Sequence, residues 1–110
     1  MTINANNKAA AAKIADHYGL ESQISIAQEE CSELIQALSK LRRYTPKPNG
    51  TLEEGIRYTE ARCSVAEEMA DVINLLLQLT HLLRNEAMVE FWLQFKLART
   101  LNDAEKEASA

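Results

Sequence analysis

Two pairs of acids stand out in this chain: Glu30 with Glu33, and Glu68 with Asp71, each pair three residues apart. Three-residue spacing keeps both members on one side of a helix. If the two helices face each other, the pairs meet as a cluster of four carboxylates. Such a cluster inside a helical layer calls for a hard divalent cation bound by oxygen, Mg2+ first and Mn2+ as the alternative. Asp71 adds weight, because it stands between Ala70 and Val72-Ile73. Leaving an ionised carboxylate buried and unpaired costs on the order of several kcal/mol, or raises its pKa until it is neutral. For either pair alone the ordinary alternative is the solvated face of an amphipathic helix. The repetition of the spacing on two apolar helices is what turns the expectation toward a site.

Other polar residues share these helices. Gln23 and Lys40 lie seven residues before Glu30 and after Glu33, close to the same azimuth, and both are candidates for binding substrate. Lys40, backed by Arg43, is placed to hold polyphosphate oxygens, although cations near a helix C-terminus also compensate its dipole. Asn74 continues the ridge after Asp71 toward Gln78 and is the candidate for a nucleobase contact. His17, Tyr18, His81 and Trp92 also have the chemistry to stack on or hydrogen-bond a base, but Trp92 with Phe91 and Phe95 reads more simply as core. Lys96 and Arg99, three apart, either bind phosphate or are ordinary surface charges.

The elements that must carry these residues are helices. The chain has 110 residues, 46% hydrophobic and only 5% aromatic, with three glycines and two prolines. That is enough for one core and one domain, 1–110, with residues 1–7 and 104–110 expected to be loose. No alternating β-branched run predicts a strand, so the fold class is all-α. A short Ala-rich helix is expected over Lys8 to Tyr18, stopped by Gly19. Ser22 is the expected cap of a second, amphipathic helix ending near Tyr44. Pro46, Pro48, Asn49 and Gly50 make the strongest breaker in the chain. Thr51 and Glu54 form a capping box for the next segment, which enters the central Val65 to Arg84 helix with or without a bend at Gly55. Asn85 is the expected cap of a last helix, Glu86 to about Asn102, which supplies the large side chains.

The central helix is apolar on most of its circumference, more than the other helices of one small chain cover comfortably. A four-to-five-helix bundle completed by dimerisation follows as the expected architecture. A net charge of −4 with scattered cations disfavours nucleic acid. The segment Val72 to Leu83 is too short and polar to span a bilayer, and the N-terminal residues lack a leader pattern. Cys31 and Cys63 fit neither a disulfide scaffold nor a zinc site and are expected to be small core residues. A cytoplasmic protein without membrane or nucleic-acid partners is the expectation.

The run Glu29-Glu30-Cys31-Ser32-Glu33, followed by Lys40 and Arg43 and later by Glu68-Met69-Ala70-Asp71, resembles the EExxE…ExxD signature of the MazG-like all-α nucleoside triphosphate pyrophosphohydrolases. These are related to the dimeric dUTPases and to phosphoribosyl-ATP pyrophosphohydrolase. The resemblance covers roughly Tyr18 to Gln78 and rests on the two motifs together. It implies a homodimer or homotetramer that uses Mg2+ to split an NTP or dNTP into the monophosphate and pyrophosphate. Carried over, Glu30, Glu33, Glu68 and Asp71 are the metal ligands, and Glu29 or Glu33 activates the attacking water. The connection through Pro46 to Gly50 is longer than is usual between the motifs, which leaves base and sugar preference open. The rival expectation is a non-enzymatic helical dimerisation or regulatory module, in which the acids are dispensable. A di-iron bundle is excluded by its ligands, since neither His17 nor His81 follows a glutamate by three residues.

Overall fold

Four α-helices and their short connections make up the described part of the chain, residues 4–110 of the computed structural model. They are α1 (Ala5–Tyr18), α2 (Leu20–Arg43), α3 (Leu52–Leu83) and α4 (Glu86–Ser109). The all-α fold class is what composition and periodicity predict.

Several boundaries differ from expectation for local reasons. The first helix starts at Ala5 rather than Lys8, because the Asn4 side chain accepts a hydrogen bond from the Asn7 amide at 3.0 Å and caps it. The expected loose stretch therefore applies to none of Ala5, Asn6 or Asn7; residues 1–3 lie outside the described part. Gly19, at φ 84, ends α1 and also caps α2. Ser22 accordingly sits inside the first turn of α2, not at its cap. At the other end α4 continues to Ser109, past Asn102, because Ala104 to Ala108 are good helix formers.

Thr51 caps the helix as predicted, its hydroxyl accepting from the Glu54 amide at 3.2 Å, which is the first half of the capping box. From there α3 is one helix of 32 residues, without a break at Gly55. Thr51→Ala is expected to cost about 1 kcal/mol of stability in urea unfolding. A cost near zero would mean that this turn is held by the connection and not by its cap.

The helices meet in a simple order. Lys40 and Arg43 on α2 line clefts shared with Glu60 and Arg57 on α3, while Glu30 meets Asp71, so α2 and α3 run antiparallel. Asp16 meets His81 at 2.8 Å and Lys8 pairs with Glu86, so α1 also runs against the far end of α3. Thus α2 packs along α3, a helix of 32 residues and so about 48 Å long at 1.5 Å per residue, and α1 meets the C-terminal end of α3. This is a thin helical bundle, and α4 leaves it: among the described residues it packs only at its junction with α3 and through the Lys8–Glu86 pair, and none of its residues is buried.

The core is correspondingly small. The buried apolar residues are Ala11, Ala15, Ala37, Ala61, Val65 and Leu75, four of them alanines. Phe91, Trp92 and Phe95, expected as core, are 61%, 48% and 50% exposed. They cluster with one another on α4 instead, Trp92 edge-on to Phe91 at 5.3 Å and to Phe95 at 5.8 Å. Cys31 and Cys63 are likewise free and exposed rather than core.

Candidate functional site: a carboxylate cluster between α2 and α3

The antiparallel pairing of α2 with α3 sets Glu30 opposite Glu68 and Asp71. One oxygen from each of the three lies within 4.8 Å of the others. Glu30 and Glu68 are half-buried and Asp71 is exposed, so the cluster opens to solvent on the Asp71 side. Glu30 Oε2 and Glu68 Oε2 are covered and, with all the carboxylates ionised, have no hydrogen-bond donor among the described residues. No cation of the protein lies among them: the three ion pairs of the described residues are Lys8–Glu86, Arg57–Glu53 and His81–Asp16.

The electrostatics follow from that geometry. Burial pushes the Glu30 carboxyl up to about 7, helped by the charges of Glu33, Asp71 and Glu68. The Glu68 carboxyl is raised for the same reason, burial first and then Glu33 and Asp71. Glu33 is therefore close enough to act on both, yet its oxygens fall outside the compact set of three. Three residues on from Glu30, it is rotated about 60° around α2, and a side-chain hydrogen bond with Glu33 is among the causes that raise both Glu30 and Glu68.

The remaining candidates are spread along the bundle. Glu29 is exposed on α2, about 100° around the helix from Glu30, and is not part of the cluster. Gln23 is 2% exposed, with its Oε1 lacking a partner, two turns before Glu30. Lys40 lines an open cleft with Tyr44, Arg57 and Glu60, and Arg43 lines its neighbour with Lys47, Glu53 and Arg57. Lys40 lies about 10 Å along α2 from Glu33. Asn74 is exposed one turn beyond Asp71, whereas Gln78, on the same expected ridge, is buried. The His17 ring stands edge-on to Tyr18 at 4.7 Å, and His81 is engaged with Asp16. Lys96 and Arg99 lie over the rings of Trp92 and Phe95, at 6.0 Å and 5.9 Å, on the outlying α4.

Arg57 is the residue that the sequence did not single out. It reaches both clefts, bonds Glu53 at 2.9 Å and lies 6.0 Å over the Tyr44 ring. The Glu53/Arg57 spacing of four was its available signal. The Asp16–His81 contact spans 65 positions and had none.

Comparison with protein-family models finds no match, and neither the curated proteins nor the solved structures contain one.

Proposed function

We propose that this chain is a Mg2+-dependent nucleoside triphosphate pyrophosphohydrolase of the MazG-like kind, cleaving an NTP or dNTP to the monophosphate and pyrophosphate. The observation that carries the proposal is the convergence of Glu30, Glu68 and Asp71 from two helices, with two covered carboxylate oxygens left without partners. The donor set is all oxygen and all anionic, which fits Mg2+ or Mn2+ and not a softer metal. The motif resemblance over α2 and α3 supplies the reaction class.

Glu30, Glu68 and Asp71 hold the ion in this scheme. Mg2+ bound there supplies charge neutralisation for the departing pyrophosphate and a lowered pKa for water. Glu33 is adjacent but outside the compact set, which supports it as the carboxylate that accepts the proton of the attacking water in this scheme. Glu29, on another side of α2, is the weaker of the two base candidates. Lys40 and Arg43, with Arg57, hold the far end of the substrate in the clefts beyond the acids. Asn74 contacts the base; Gln23, the other amide expected to bind substrate, is 2% exposed and takes no part in this scheme. The working unit is a homodimer or homotetramer, and the free exposed thiols fit a reducing, cytoplasmic setting. No helix among the described residues is long and apolar enough to cross a membrane.

One observation favours a purely interactive role: large apolar side chains are exposed along all four helices. A panel of ribo- and deoxynucleoside triphosphates, assayed for pyrophosphate with Mg2+ or with EDTA, separates the two. Release that requires Mg2+ supports the enzyme. Absence of release from every nucleotide, with the protein folded and Mg2+ present, hands the case to the dimerisation or regulatory module.

A further inference from the structure

A chain of 12.3 kDa that folded into a compact monomer would expose about 6,100 Å2 and have a radius of gyration of about 13 Å. This one exposes 8844 Å2 and has a radius of 17.9 Å. The surplus is roughly 2,700 Å2 on each chain, within the range that obligate homodimers bury. Eight of the large apolar side chains left exposed belong to α4.

That helix has two apolar sides. Met88, Phe91, Trp92 and Phe95 recur at helical spacing along one of them. Val89, Leu93, Leu97 and Leu101, four apart, wind along the other. A helix apolar on two sides belongs between layers, yet among the described residues α4 meets the chain only at its junction with α3 and through the Lys8–Glu86 pair. The rest of the same chain carries the complement: Ile24, Ile35, Leu38, Met69 and Leu76 are exposed on α2 and α3. A donor surface and an acceptor surface, both uncovered on one chain, are mutually satisfied by a symmetric exchange.

We infer that α4 is an exchange arm, docking through its Phe91, Trp92 and Phe95 side onto a second copy of this chain. The inference rests on the assembly half of the function proposed above and not on its chemistry. The single tryptophan makes it measurable, since Trp92 lies on the docking face itself. In the free chain Trp92 is half exposed; in the docked arm it is shielded.

The test uses the full chain. Sedimentation equilibrium and Trp92 emission with iodide quenching are followed over a dilution series, extended with mild urea if association is too tight to reverse by dilution alone. The expected result is an oligomer in which Trp92 is shielded, with emission moving to the red in step with dissociation. Phe91→Asp and Phe95→Asp are each expected to raise the dissociation constant at least about 30-fold, as loss of a buried aromatic anchor does. The wild-type series decides on its own if a variant fails to fold. An oligomer that survives both substitutions, or whose dissociation leaves Trp92 unchanged, overturns the arm and leaves oligomerisation standing. A monomer at every concentration overturns both. In that case shielded Trp92 means that the arm folds back on its own bundle, and exposed Trp92 that it serves another protein or a lipid surface.

Discussion

Glu68→Gln is expected to reduce Mg2+-dependent pyrophosphate release at least about 100-fold, since even partners behind a metal ligand cost up to that much when removed. The substitution keeps the shape of the side chain and deletes one negative charge from a group of four. Glu68 Oε2 is covered and unpartnered, and the Glu68 carboxyl is raised by its surroundings, so the charge is held against local electrostatics. Removing it relieves repulsion with Glu33 and Asp71. The metal-free variant is therefore expected to melt at a higher temperature than the wild type at pH 8, while losing activity. Circular dichroism melts in EDTA, beside the pyrophosphate assay, check both halves. A variant that is less stable and less active together would make Glu68 a structural residue, and the site proposal would fall.

The second large effect is on pH. The Glu30 carboxyl is raised from its ordinary value of 4.5 to about 7, by burial first and then by Glu33 and Asp71. Between those two values the folded chain binds more protons than the unfolded one, so the stability of the metal-free protein falls as pH rises through this window. Mg2+ competes with the same proton. Its affinity is expected to climb about tenfold per pH unit toward 7, for one proton released, and to level off above. Melting curves from pH 5 to 8, with Mg2+ or with EDTA, read this directly: Mg2+ raises the melting temperature at pH 8 and barely moves it at pH 5. Glu30→Gln flattens the metal-free profile. Metal-free stability that climbs steadily from pH 5 to 8, or an absence of any Mg2+ shift at pH 8, would remove the cluster as a cation site.

Local rules explain why much of the fold was legible. Thr51 with Glu54, the Pro46 to Gly50 breaker and Gly19 each act within a few residues, and each marks a helix end in the structure. Periodicity gave four to five helices and no strand, and the continuity of α3 through Gly55 makes them four among the described residues. Propensity was underestimated only at the ends, where Asn4 caps α1 and the tail after Asn102 stays helical.

The acids show where local reading stops. Their spacing put Glu30 and Glu33 on one side of α2 and Glu68 and Asp71 on one side of α3. Whether those sides meet depends on the antiparallel register, which brings Glu30, Glu68 and Asp71 together and leaves Glu33 beside them. Glu29 shares the motif with Glu30 and, one residue away, points elsewhere.

What the sequence determined by itself was helix type, helix ends and the azimuth of each side chain, because these depend on neighbours within a turn. Tertiary structure decided which azimuths face one another, that Asp16 finds His81, and that Phe91, Trp92 and Phe95 stand outside the chain's own core. Burial is a property of what covers a surface, and along α4 this chain supplies almost no cover of its own.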